Sequence, residues 1–213
     1  MNILVTAGPT REALDPVRYL TNRSSGKMGY ALANAGAQLG HRVTLVSGPT
    51  SLDIPINVDY IPVETAQEMF EAVSIHLAGQ DAAIFSAAVA DYRPAAFAEN
   101  KIKKSSDRLT LELVRNTDIL GSARSEFSYE GILVGFAAET EKIEANARGK
   151  LQRKGCDLVV ANDVARSGTG FDSDHNEVLL VYPDRTVPLA METKDRLAHL
   201  IMQAVQELRI RNG

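Results

Sequence analysis

Short apolar runs alternate with helix-length segments through the first ninety residues, and this alternation constrains the fold more than any other feature. Residues 2–6 (NILVT), 42–46 (RVTLV), 58–63 (VDYIPV) and 82–86 (AAIFS) read as strands. A helical pattern from about Met28 to Leu39, stopped by Gly40, separates the first two. A second, opened by the capping-box spacing Thr65-Ala-Gln-Glu68 and running to about Ala78, separates the last two. Parallel strands need long crossovers where antiparallel ones need only a tight turn. Strands punctuated by helices of this length therefore predict βαβ units. The expected class is α/β, with a Rossmann-like, mostly parallel sheet and helices on both faces.

The second half continues the theme with variations. Leu109-Thr-Leu-Glu-Leu-Val114 alternates apolar and polar residues, as a half-exposed strand does. A helix is expected from Thr117 to about Glu126, and Thr117-Asp118 suits its N-terminus. Residues 132–136 form a buried-type strand, and Ala137-Ala-Glu-Thr140 leads into a helix ending at Gly155. Residues 157–161 follow as a short strand. A small C-terminal hairpin is expected from residues 178–182 and 186–189 across Pro183-Asp184, then a terminal helix from Thr193 to about Arg209. Residues 11–25 and 162–176 read as polar and irregular.

Composition excludes several classes. A chain of 213 residues suits a single domain over residues 1–213, burying roughly 70% of its unfolded surface. The net charge of -4 supports neither a nucleic-acid nor a membrane surface, although clustered basic residues leave room for local anion sites. One cysteine, Cys156, excludes an internal disulfide and a cysteine zinc cluster, which points to a reducing compartment. No apolar run approaches the ~20 residues of a membrane span. Residues 1–8 read as a strand and not as a signal peptide. A cytoplasmic protein is expected.

Three stretches could carry chemistry. After the strand ending at Ser86, the apolar period is lost through Asp91-Tyr-Arg-Pro94 and as far as Lys101-Ile-Lys-Lys104. Long loops inside domains are often functional, and the crevice beyond a strand's carboxyl end is where α/β proteins bind ligands. A flap over about residues 92–108 closing on phosphates fits this pattern. A solvated surface loop with ordinary lysines fits it too. Asn22-Arg-Ser-Ser-Gly-Lys-Met-Gly29 offers hydroxyls, glycines and backbone amides at a helix start, which suits an anion and equally a plain cap. It lacks the Walker A spacing, and the first strand lacks a dinucleotide fingerprint. Lys150 and Lys154 share one helix face near its C-terminus, where lysines also complement the helix dipole. His41, His76, His175 and His199 have no metal-ligand spacing, and no catalytic triad is arguable.

Taken together and in order, Ala7-Gly-Pro-Thr-Arg11, Asp15-Pro-Val-Arg18, Asn22-Arg-Ser-Ser-Gly-Lys-Met-Gly29, Ala87-Ala-Val-Ala-Asp-Tyr92, Lys101-Ile-Lys-Lys104, Gly135-Phe-Ala-Ala-Glu-Thr140 and Ala161-Asn-Asp163 resemble the bacterial phosphopantothenate–cysteine ligase family. The resemblance covers essentially the whole chain. It implies joining of 4'-phosphopantothenate to L-cysteine in coenzyme A synthesis. CTP is the co-substrate in this bacterial type, with an acyl-cytidylate intermediate and Mg²⁺. It also implies a homodimer, and often fusion to a decarboxylase domain. By similarity Lys101 contacts the triphosphate and Asn22 serves the acyl-nucleotide intermediate, by hydrogen-bonding its acyl oxygen or by orienting it. Arg18, Ser24 and Ser25 face phosphopantothenate. Phe85, Ser86, Ala87, Asp91, Thr117, Asp118, Ile119, Leu120, Phe136, Lys150 and Lys154 contact the nucleotide. The Mg²⁺ ligands are not indicated. One departure is visible at Asn116-Thr-Asp-Ile119, where the family pattern has proline in second place.

Overall fold

A computed structural model describes residues 1–104, 107–163 and 173–212. The strands β1 (Asn2–Ala7), β4 (Arg42–Ser47), β5 (Val58–Pro62), β6 (Ala82–Phe85), β9 (Ile132–Glu139), β10 (Leu158–Asp163), β11 (His175–Val181) and β12 (Thr186–Thr193) form one eight-stranded sheet. Its order is β12-β11-β10-β9-β6-β1-β4-β5, parallel from β5 through β10 and antiparallel at β11 and β12. The α/β, mostly parallel architecture expected from the sequence is the one found. The C-terminal hairpin does not stand apart, because β11 pairs with β10 and extends the same sheet.

Alternation along the central strands explains why both faces are covered. In β1, Ile3, Val5 and Ala7 join the core under α1 (Lys27–Gln38) and α5 (Lys194–Asn212). Leu4 joins the opposite core under α2 (Ala66–His76), α3 (Ile119–Ser125) and α4 (Ile143–Lys154). Each large side chain buried this way contributes roughly 1.5–3 kcal/mol, so strands apolar at every position are stable only in the middle of such a sandwich. Helix starts follow local chemistry. Thr65 and Glu68 form the reciprocal capping box at α2, and the Asp118 carboxylate accepts the Gly121 N–H at α3.

Two expectations are corrected. Residues 11–25 are not irregular throughout: β2 (Arg11–Ala13) and β3 (Tyr19–Thr21) pair antiparallel in a small hairpin. The alternating run 109–114 does not form a long half-buried strand. Only β8 (Leu113–Arg115) is extended, and it pairs with β7 (Tyr92–Pro94) outside the main sheet. That pair lies outside the main sheet's two cores, and Leu109, Leu111 and Leu113 stay 61%, 38% and 43% exposed. Most of the expected polar loop after Asp163, and residues 105 and 106 of the flap stretch, lie outside the described residues.

Gly29 lets α1 lie directly on β1. A Cβ there would stand 2.5 Å from the Ala7 Cβ and 2.7 Å from the Ser86 Oγ. Gly29→Ala is expected to cost about 2 kcal/mol or more. That would lower Tm by about 4–8 °C in a chain of this size. An unchanged Tm in thermal unfolding would show that α1 can lift off the sheet freely.

Candidate functional site

The chain leaves β1 toward β4 on one side, while β6 pairs on the other side of β1. The strand order reverses there, and a crevice must open beyond the carboxyl ends of these two strands. A cleft of about 720 Å³ occupies that position. Its floor is a zipper between the two strand exits. Ser86 N–H and Oγ donate to the Thr6 carbonyl, Ala88 N–H to the Gly8 carbonyl, and Ala90 N–H to the Thr10 hydroxyl at 2.9 Å. These bonds turn residues 86–90 into a rigid ledge.

Along one wall runs the 22–29 loop and the start of α1. Its N-cap, Gly26, has φ 78° and no side-chain cap, and the first turn carries no acid. The positive end of the helix is therefore not countered by a local carboxylate. Asn22 is held firmly: its Nδ2 donates to the Ala88 carbonyl at 3.0 Å and the Val89 carbonyl at 3.1 Å. Both neighbours are acceptors only, so the amide nitrogen must face them and Oδ1 is the atom left to a ligand.

The opposite wall is α3 and α4. Lys150 donates to the Phe136 carbonyl, and Lys154 pairs with Asp118. Burial pushes the Lys150 ammonium below the ordinary lysine value. Burial pushes Asp118 upward, but the Lys154 and Gly121 hydrogen bonds and the field of both lysines outweigh it and leave the carboxyl low. The cationic lining comprises Arg23, Lys27, Arg115, Lys150, Lys154 and Lys194, against the carboxylates of Asp91 and Asp118. A chain of net charge -4 thus gathers positive charge in one concave place, as an anionic ligand requires.

Of the residues singled out from the sequence, Asn22, Ser24, Ser25, Phe85, Ser86, Ala87, Asp91, Thr117, Asp118, Ile119, Leu120, Phe136, Lys150 and Lys154 all line this cleft. Arg18 and Lys101 do not. Arg18 forms an ion pair with Asp15 at 2.6 Å, and Lys101 is exposed on the flap stretch. Sequence reasoning missed Thr6, Arg115, Asn116 and Asn176, which also line the cleft. Asn116 is 8% exposed; its Nδ2 donates to the Ala90 carbonyl and its Oδ1 accepts from Arg93. Its only advance signal is polarity before a helix cap. Cys156 is a packing residue, its thiol pushed up to about 11 by burial. Among the described residues no three His, Cys, Asp or Glu side chains converge as a metal site would need.

Fold and site together define a doubly wound α/β protein with a cationic cleft at its topological switch point. The chain belongs to the DNA/pantothenate metabolism flavoprotein C-terminal domain family, whose model matches residues 1–208. It is 52% identical over 209 residues to the coenzyme A biosynthesis bifunctional protein CoaBC of Vibrio parahaemolyticus, covering 97% of this chain and 52% of that protein. It is 48% identical over 216 residues to the Bacillus subtilis protein of the same name, covering 100% of this chain and 52% of that protein. The chain therefore spans about half the length of the curated relatives it matches. The crystal structure of a CoaBC C-terminal domain superposes with a TM-score of 0.84 at 40% identity, covering 100% of this chain and 96% of that one.

Proposed function

We propose that this chain is an enzyme of coenzyme A biosynthesis that ligates 4'-phosphopantothenate to L-cysteine using CTP. The observation that carries the reading is the cationic cleft at the switch point, in a chain half identical to CoaBC proteins. A carboxylate is a poor acyl donor, so it must first acquire a leaving group. Its oxygen attacks the α-phosphorus of CTP, the bond to the β-phosphate oxygen breaks, and pyrophosphate leaves. The cysteine amine then attacks the acyl carbon of the acyl-cytidylate, and CMP departs as the amide forms. Such chemistry asks the protein mainly to align reactants and to neutralise phosphate charge.

In this reading the triphosphate lies against Lys150, Lys154 and the 86–91 ledge, with Lys101 meeting its phosphates and promoting the first step. The phosphopantothenate lies near Ser24, Ser25 and the start of α1, on the side of Arg18. Asn22 offers an acceptor, Oδ1, and not a donor, so it would take a hydrogen bond from the incoming amine and not give one to the acyl oxygen. Mg²⁺ suits the site as an ion held mostly by phosphate oxygens and its own waters, with Asp91 as the carboxylate at hand. It would neutralise charge on the leaving pyrophosphate.

A homodimer is part of the proposal, because Val17, Tyr19, Tyr92, Phe97, Leu109 and Leu113 expose apolar surface around the two small hairpins. A fused decarboxylase in the full-length protein is supported by the bifunctional name and double length of the relatives. No described helix is long and apolar enough to cross a membrane.

Pyrophosphate release with Mg²⁺, 4'-phosphopantothenate and CTP, measured without and then with cysteine, tests this directly. A cysteine-independent burst that becomes steady turnover on adding cysteine is expected. Release with ATP but not CTP would overturn the nucleotide, and silence with both from folded protein would make this a binding module.

A pH dependence follows from the Lys150 geometry. Its lowered pKa means that its charge is lost before that of an ordinary lysine at about 10.4. CTP affinity should fall as pH rises through that lowered value. Lys150→Arg, which keeps its charge, should remove the step from a plot of Kd against pH below the ordinary lysine value. An identical pH profile in the variant would place Lys150 away from the phosphates.

A further inference from the structure

Asp15 is a carboxylate that the proposed reaction does not use, and its side chain is 0% exposed. All of its acceptor capacity is taken. Oδ1 accepts the N–H groups of Val17 and Arg18, both at 2.9 Å. Oδ2 accepts Arg18 Nε at 3.1 Å, Arg18 Nη2 at 2.6 Å and the Ile102 N–H at 3.0 Å. Arg18 Nη2 in turn donates to the Ile102 carbonyl at 2.9 Å. Both backbone polar groups of Ile102 are thus gripped by one ion pair. Four residues earlier, the Ala98 N–H donates to the Leu14 carbonyl at 3.0 Å. Residues 99–101 form an arch pinned at each end to the 14–18 loop, and Lys101 is its last residue.

Charge-assisted bonds of this kind are about twice as strong as neutral ones, and a carboxylate occupied at both oxygens has one geometry. The Arg18 hydrogen bonds hold the Asp15 carboxyl well below the usual carboxylate range, against burial, with help from the Ile102, Val17 and Arg18 N–H groups. The clamp therefore stays charged at any pH where the enzyme would be assayed. Nothing in folding the main sheet calls for a buried carboxylate aimed at a loop backbone 87 residues away. Stationing the arch accounts for it.

We propose that Asp15 is a positioning residue that, through Arg18 and the backbone of Ile102, sets the place of Lys101. This rests on the reading of Lys101 as the lysine that meets the triphosphate. Asp15→Asn keeps the shape but has one acceptor oxygen: with Nδ2 in the place of Oδ2 the Ile102 N–H and the guanidinium both lose their acceptor, and with the amide flipped the Val17 and Arg18 N–H groups do.

Two measurements decide it. In the first, pyrophosphate release is compared in four proteins: the parent, Asp15→Asn, Lys101→Gln and the double variant. Asp15→Asn is expected to lower the maximal rate about tenfold or more with little change in CTP Kd, and to add nothing on the Lys101→Gln background. An equal loss in both backgrounds, or no loss, would overturn the proposal. In the second, trypsin cleavage after Lys101 is followed by mass spectrometry without any substrate. Asp15→Asn should speed it about tenfold with thermal unfolding still cooperative, and an unchanged rate would show that no clamp exists. If Lys101→Gln alone keeps full activity, the Lys101 reading has failed, and the proteolysis still decides whether Asp15 holds the arch.

Discussion

Lys101→Gln is expected to lower pyrophosphate release from CTP and 4'-phosphopantothenate by about 10²–10³-fold, the usual effect of removing one charge-stabilising group. The same substitution should leave Tm within about 2 °C, because a surface change away from the core is worth about 0.5 kcal/mol or less. The side chain is exposed and makes no hydrogen bond or ion pair among the described residues, so the fold does not depend on it. Developing negative charge on the departing pyrophosphate is where a lone cation acts most, since the gain is realised in the transition state and not on binding. The loss should therefore appear in the rate of the first step, with CTP affinity changed less. Turnover equal to that of the parent would remove Lys101 from the chemistry. Because Lys101 does not line the cleft, the reading also has the phosphates reaching the arch when the nucleotide is bound.

Asn22→Asp should do something different, and the difference is diagnostic. The amide nitrogen now bridges two carbonyl oxygens at 3.0 and 3.1 Å. An aspartate would turn an oxygen toward both, replacing two hydrogen bonds with repulsion, and the side chain must swing away from the ledge. Misplacement of about 1 Å at a reacting centre can cost 10²-fold. The first step, which does not involve the amine, should survive, so acyl-cytidylate should accumulate while amide formation slows about a hundredfold. Chemical quench and mass spectrometry would read the intermediate directly. Product formed at the parental rate would reduce Asn22 to a residue that fastens the loop to the ledge. Asn22→Gln separates geometry from charge, being neutral yet one methylene too long, and it should also slow the second step.

Lys101 and Asn22 were both picked out from sequence, yet only one of them lines the cleft. Asn22 belongs to a contiguous run that opens a helix, and helix starts are local events governed by residues within a few positions of each other. Lys101 lies in a stretch without period, whose path depends on what grips it. Arg18 shows the same limit: it reads as an anion partner from its charge, and its guanidinium is already engaged by Asp15 and by Ile102.

The order of strands and helices was determined by the chain itself. Runs such as NILVT and AAIFS bury both faces, and the βαβ spacing then leaves few topologies open. Local signals, including the Thr65–Glu68 capping box and the Asp118 cap, were equally plain. Only the tertiary structure decided that β11 and β12 extend the main sheet, and that two short hairpins stand off it. It alone gathered six cations into one cleft of an acidic protein, and it alone aimed a buried Asp15 at a backbone 87 residues further on. The reason is physical. Periodicity records which side of an element meets apolar surroundings, and that is a property of near neighbours. Which distant polar groups satisfy one another depends on how the layers pack, and a one-dimensional pattern holds no trace of it.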